Sequence, residues 1–257
     1  MLRENDFERL RVVLVNTRNP LNIGVAARAM SNFGFVRLRV VNPFELAFRE
    51  ARSAVGAVSL LARAEEFKSV EQAVADCSLV VGTTALSRRD PQHTVRGLKQ
   101  GMQLIRKRLR GGGVALLFGS EKRGLSNEDF SHCHWLLRIP TREEHRSMNL
   151  GQAVAVCLYE LAREGKSTGA REKLALATAG DLERLTSLLL DALQASGYLK
   201  SHWQSSTESH SSALAEEKVR RFVRRTDLSG SDAELLLGML RQILWKLNQA
   251  STSRNAE

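Results

Sequence analysis

Apolar positions along this chain fall into short β-branched runs separated by stretches with helical spacing. Arg11–Asn16 (RVVLVN) predicts a first buried strand. Asn22 then reads as the N-cap of a helix over Ile23–Phe33, closed by Gly34 as a left-handed C-terminal residue. Within it Gly24, Ala26, Ala27 and Ala29 are small enough to bring the helix close to a sheet or a ligand. Val36–Asn42 predicts a second strand, 46–62 a helix, Ser69–Ala75 a short helix and Leu79–Thr83 a third strand. Val95–Leu109 predicts an amphipathic helix, ended by Gly111-Gly112-Gly113. Val114–Phe118 and Trp135–Ile139 predict two more strands, each opening into a polar loop, and a helix from Met148–Asn149 to about Arg163 follows. Strands alternating with helices at this spacing predict an α/β fold, a mostly parallel sheet with helices on both faces.

The alternation stops near Glu164. EGKSTGAREK is polar and Gly/Ser-containing and reads as a linker, which divides the chain into a main domain at 1–164, a linker at 165–180 and an extension at 181–257. The extension is expected to be small and all-α. Its helices are Asp181–Ser196, a basic Ala213–Arg225, and a last one opened by Ser231-x-x-Glu234 as a capping box.

Charge narrows the partner. The net charge is +10, with +8 in residues 1–165 and +2 in 166–257. An excess of this size favours a polyanion, most simply nucleic acid, met mainly by the first domain. No apolar run is long enough to span a bilayer. The opening MLRENDFERLR lacks the apolar core of a signal peptide, so a cytoplasmic protein with no membrane partner is expected. Cys77, Cys133 and Cys157 form no CxxC pair. His132-Cys133-His134 has no second ligand pair, so it reads as core or surface and no metal is expected.

Neither GxGxxG nor GxxxxGK[ST] occurs, which argues against Rossmann and P-loop nucleotide sites. No GxSxG elbow supplies a serine nucleophile. Three strand ends remain: Thr83-Thr84-Ala85, Gly119-Ser120-Glu121, and Ile139 through Ser147-Met148-Asn149. They offer backbone groups and small hydroxyls with little charge, which suits an adenosine-like ligand without a polyphosphate. Arg28 lies early in the first long helix, where a cation opposes the helix dipole. Either it points to solvent or it serves an anionic substrate.

NPLNIGVAARAMSNFGF, VGTTALSRR, LLFGSEKRGLSNED and RIPTREEHRSMNLGQAVAVCLYEL, in that order, resemble the motif regions of the SPOUT-class RNA ribose methyltransferases. Within that class the chain is most similar to the TrmJ-type tRNA cytidine/uridine 2′-O-methyltransferases, over residues 9–163 and in the tail segments DLERLTSLLLDALQASGYL and RRFVRRTDLSGSDAELLLGMLRQI. The resemblance implies a sheet whose C-terminal part, Val114–Leu161, is tied in a deep trefoil knot, a rare exception to unknotted topology. It implies a homodimer through that region. It also implies S-adenosylmethionine (SAM) as cofactor, held by Thr83, Thr84, Ala85, Gly119, Ile139, Ser147, Met148 and Asn149. The family's catalytic arginine falls on Arg28, with Asn22, Glu121, Ser147 and Asn149 at its other motif positions. The implied substrate is tRNA, at the first nucleotide of the anticodon loop. Ribosomal RNA, or RNA binding without catalysis, are the alternatives.

These residue types suit the reaction. A ribose hydroxyl attacking a sulfonium methyl needs in-line placement and help for a developing alkoxide, not a metal. Arg28 is expected to hold the neighbouring phosphate and stabilise that oxygen, because a guanidinium is a poor base in proteins. Glu121 is either ionisable machinery or a brace for Asn22 or a loop amide. Ser147 and Asn149 serve the ligand or cap the helix that follows them. Arg88 and Arg89 are RNA-phosphate contacts or solvated loop charges. Ser120 stands where many relatives carry arginine, Met148 replaces a common leucine, and the Pro140–Arg146 loop is unusually charged.

Overall fold

Alternation along the first strand sorts the core into two layers. Leu10, Val12 and Leu14 enter one hydrophobic cluster, and Val13 and Val15 enter another on the opposite face. The computed structural model describes residues 2–43, 58–85, 92–163, 175–199 and 208–254. Its strands are β1 (Leu10–Val15), β2 (Arg37–Val41), β3 (Glu65–Phe67), β4 (Cys77–Thr84), β5 (Val95–Gly97), β6 (Gly113–Phe118) and β7 (Trp135–Arg138). They form one sheet in the order β3-β2-β1-β6-β4-β7-β5, and every pairing is parallel. Both faces are covered, as an all-parallel sheet requires.

The helices are α1 (Glu4–Arg9), α2 (Pro20–Asn32), α3 (Val58–Ala62), α4 (Val70–Val74), α5 (Leu98–Leu109), α6 (Asn127–Ser131), α7 (Leu150–Ala162), α8 (Ala179–Ala195), α9 (Glu208–Arg224) and α10 (Gly230–Arg254). One face carries α2, α5 and α7 through Ile23, Met30, Met102, Ile105, Val154 and Leu158. Helix α7 packs against both α2 and α5. Gly151 makes the α2 approach possible, since a Cβ there would lie 2.4 Å from Val25 Cγ1. At its other end Arg106 of α5 caps α7, with Nε donating to the Leu161 carbonyl at 2.9 Å. The second face carries α4, α6 and the start of α8 through Val70, Ala73, Val74, Phe130 and Ala179. Helices α8, α9 and α10 share a smaller core of Leu182, Leu185, Val223, Ala233 and Leu237.

Several boundaries differ from expectation. Helix α2 begins at Pro20, not Ile23. Asn19 is its N-cap, accepting from Leu21 N at 3.0 Å, and Pro20 suits the first helical position. Asn22 is therefore buried inside the first turn and is not the cap. Gly34 does take a left-handed conformation after it, at φ +79°. The segment expected as a single helix from Val95 starts instead as strand β5. Leu136 N donates to Thr94 O at 2.9 Å, and Arg96 lies over the Trp135 ring, so pairing with β7 outweighs helical spacing there. Ser229, not Ser231, caps α10, accepting from Asp232 N at 3.1 Å. Helix α8 starts two residues early under a Thr178–Asp181 capping box, and α9 starts at Glu208. Of the helix expected over 46–62, only 58–62 falls within the described residues, and it is helical. The EGKSTGAREK linker lies outside them.

Asp76 ties β2 to β1 below the sheet, accepting from Arg39 Nη2 at 3.2 Å and Arg11 Nη2 at 2.8 Å. Burial alone would raise its pKa, but the Arg39 hydrogen bond and the charges of Arg11 and Arg39 hold it at about 2. A carboxyl with a depressed folded-state pKa contributes stability above its unfolded value, lost as pH falls through the folded one. Between pH 5 and pH 2 the wild type is therefore expected to lose more stability than Asp76→Asn. Urea midpoints at the two pH values check this, and equal losses would contradict it.

Candidate functional site

The carboxyl ends of β4, β6 and β7 open on one side of the sheet, where ligands of open α/β sheets bind. A cavity of about 420 Å³ lies there. Thr83, Thr84 and Ala85 line it from β4, and Phe118 and Gly119 from β6. Ile139, Ser147 and Met148 line it after β7, with Leu150 and Ala153 of α7 closing the side. Seven of the eight residues expected to hold a cofactor are thus in its walls, and Asn149 sits beside them as the N-cap of α7. The volume and the mix of apolar walls with backbone and hydroxyl groups fit a nucleoside-sized ligand.

The loop after β6 is folded tightly against itself. Gly124 N donates to Ser120 O at 2.8 Å, and Gly124 takes φ +66°. A Cβ on Gly119 would lie 2.0 Å from the Gly124 carbonyl carbon, so only glycine permits this closure. Thr83 Oγ1 donates to Leu117 O at 2.8 Å, which fixes the β4 end against the β6 end.

Three polar residues far apart in sequence brace the mouth. Glu121 Oε1 accepts from Asn22 Nδ2 at 2.9 Å and from Asn19 N at 3.3 Å. Asn149 Nδ2 donates to Asn22 Oδ1 at 2.9 Å, and Asn149 Oδ1 accepts from Gly151 N at 3.0 Å and Gln152 N at 3.3 Å. The carboxylate only accepts and the helix N-terminus only donates, so both amide orientations follow. Glu121 therefore braces Asn22 and a loop amide, and Asn149, not Ser147, is the N-cap of α7.

Arg28 lies further along α2 than Asn22. It is exposed on α2 and is not part of the cavity wall. On the same helix Leu21 and Val25 are also exposed, and on the adjacent α7 the exposed Tyr159 meets the Phe33 ring edge-on. Arg88 and Arg89 lie outside the described residues. His132, Cys133 and His134 are core residues, and His134 Nδ1 accepts from Val80 N at 3.1 Å. Sequence reasoning passed over Lys122, Arg123 and Arg146, which give the cavity a basic rim. Their signal was present in the GSEKRG and PTREEHR loops, as cations placed directly after strand ends.

Residues 9–159 match the SpoU rRNA methylase family. The chain belongs to that family. Among its relatives is the tRNA (cytidine/uridine-2′-O-)-methyltransferase TrmJ of Sodalis glossinidius, 33% identical, with 92% of each chain covered. The tRNA (cytidine/uridine/adenosine-2′-O-)-methyltransferase TrmJ of Pseudomonas aeruginosa is 34% identical, covering 91% of this chain and 93% of its own. Among solved structures, TrmJ from Z. mobilis ZM4 superposes with a TM-score of 0.76 at 29% identity, over 91% of this chain and 98% of its own. The likeness to TrmJ therefore extends past the SpoU region into the C-terminal helices.

Asn149→Ala removes both the α7 cap and the donor to Asn22. A loss of about 1–2 kcal/mol in urea unfolding is expected. Asn149→Asp keeps an acceptor at the helix N-terminus but not the donor, so its loss should be smaller; equal losses would deny the cap its role.

Proposed function

We propose that this chain transfers a methyl group from SAM to a ribose 2′-hydroxyl of tRNA, at cytidine or uridine in the first position of the anticodon loop. The observation that carries this reading is the cavity at the ends of β4, β6 and β7, walled by the residues the family resemblance assigns to SAM. Membership of a methylase family and full-length similarity to TrmJ enzymes support the reaction and the tRNA substrate. The family description names rRNA, so ribosomal RNA is the competing substrate. A non-catalytic RNA-binding protein is the remaining alternative.

In this reading SAM supplies an electrophilic methyl on a sulfonium. Thr83–Ala85, Gly119, Ile139 and Ser147–Asn149 bind and orient it. Phe118, Leu137 and Leu150 exclude water from the inner wall. The Glu121–Asn22–Asn149 brace holds the two loops and the α7 N-terminus in register. Lys122, Arg123 and Arg146 at the rim, with Arg88 and Arg89, meet RNA phosphates. Arg28 holds the phosphate beside the target ribose and stabilises the oxygen that becomes nucleophilic.

The same reading includes a deep trefoil knot over Val114–Leu161 and a homodimer through that region. The exposed Leu21, Val25 and Tyr159 flank the surface that carries Arg28 and support such an interface. A catalytic unit at 1–164 followed by a helical extension from 181, acting in the cytoplasm, completes it. No helix among the described residues is long and apolar enough to cross a membrane.

Arg28→Ala is expected to lower labelled-methyl transfer to total tRNA by roughly 10²–10³-fold, a typical cost for one stabilising donor. SAM affinity, read by calorimetry, should stay close to wild type. Mass-spectrometric mapping of the new 2′-O-methyl group decides between the anticodon loop and other positions. Absence of transfer to tRNA and to rRNA by the wild type would overturn the enzyme reading.

A further inference from the structure

The charged residues of α8 and α9 that face the sheet are buried. Arg220 is 7% exposed, Arg224 1% and Glu183 8%. Arg220 Nε donates to Glu183 Oε1 at 2.9 Å, and Arg224 Nη2 donates to Glu183 Oε2 at 3.0 Å. Glu216 gives Arg220 a second carboxylate. Arg220 Nη1 then leaves the helical tail and donates to Ser131 Oγ of α6 at 3.1 Å. His132 faces the same site, its Nδ1 3.8 Å from Glu183 Oε2. Burial, then the charges of Arg220 and Arg224, push its pKa down to about 3, so the ring is neutral near pH 7 and adds no third cation.

Helix α6 has only five residues, Asn127–Ser131, and it joins this cluster to the cavity. Its first end is fixed by the Ser126–Asp129 capping box, with Ser126 N donating to Asp129 Oδ2 at 2.7 Å. Its last residue, Ser131, carries the tail contact. Phe130, the residue before, and Leu125, just ahead of the cap, both line the cavity. One turn of helix therefore has the pocket on one side and two buried guanidinium groups on the other. Buried ion clusters give little net stability for their desolvation cost, but removing one partner strands the rest. Here the geometry they enforce falls on Ser131.

We propose that Arg220 and Glu183 are positioning residues for the cofactor pocket: by holding Ser131 they set the wall formed by Leu125 and Phe130. The helical tail then acts on SAM binding without touching the ligand. This rests on the reading of the cavity as a SAM site.

The test uses the full chain. Arg220→Met is expected to weaken SAM binding at least about fivefold, within the usual range of coupling between sites. KM for SAM should rise while kcat at saturating SAM stays near wild type. A purely structural loss would instead lower the active fraction and leave KM unchanged. Arg220→Lys, which keeps a cation, should recover part of the affinity. Phe222→Ala, on the exposed side of the same helix, should change nothing. Amide hydrogen exchange should quicken at residues 125–133 in Arg220→Met while β1 and β6 stay protected.

Coupling is reciprocal, so SAM added to the wild type must slow exchange at 181–186 and 219–225 as well as around the cavity. This arm needs no variant to fold. Protection confined to the cavity loops, or an Arg220→Met protein with unchanged SAM affinity, would overturn the proposal. If the wild type binds no SAM, the cavity reading fails instead. Exchange at 125–133 in Arg220→Met then still decides whether the tail holds α6.

Discussion

The site depends on β6 being held between β1 and β4. Its five-residue parallel register with β1, from Leu10–Val114 to Leu14–Phe118, brings the chain's first loop beside the loop after Phe118. Its register with β4, from Leu79–Val114 to Gly82–Leu117, brings the Thr83–Ala85 end alongside. Parallel strands place all their carboxyl ends on one side, so three loops from distant parts of the sequence meet there without any loop having to reach. Val114, Ala115, Leu116 and Leu117 are fully buried, and a charged substitution among them would misplace all three loops at once.

Sheet register alone leaves loop ends loose, and polar contacts finish the placement. Asn22 is 99 residues from Glu121 and 127 from Asn149, yet its one amide bonds both. The first turn of α2, the loop after β6 and the start of α7 are thereby pinned at a single side chain. The arrangement tolerates no reversal, because Glu121 cannot donate and the α7 amides cannot accept. Two close packings complete it: Gly119 against Gly124 within the loop, and Gly151 against Val25 between α7 and α2.

The long strands and the α2, α5 and α7 helices were legible because a strand buried on both faces is written as a continuous apolar run. β5 and β3 were not. VRG and EEF carry no such run, and each is a strand only through its neighbour: Val95 pairs with Leu136, and Glu65 with Arg39. The start of α2 differs from expectation because Asn19 caps it and Pro20 takes the first helical position, which leaves the side chain of Asn22 to Glu121 and Asn149. The cavity residues were legible as the polar ends of buried strands, and the family motifs then assigned them a cofactor. The tail cluster was legible by neither. Helical spacing assigns Glu183, Arg220 and Arg224 to solvent, whereas the surface they meet, Ser131 and His132, comes from another part of the chain.

The position of Arg28 constrains how the proposed chemistry is assembled. Arg28 is exposed on α2 and is not among the residues that line the cavity at the strand ends. A single exposed leucine needs no explanation. Leu21, at 73% exposure, is followed one turn later by Val25 and then Arg28, however, and Tyr159 extends the apolar surface onto α7. Gly151 lets α2 and α7 touch at Val25, which lies on the same side of α2 as Arg28, three residues before it. In the proposed dimer that surface would be buried against a second copy, and Arg28 would reach the RNA at the edge of the interface. The residue that permits this contact is Gly151 of α7, so half-exposed Val25 both seats α2 on α7 and borders the outer face that carries the arginine.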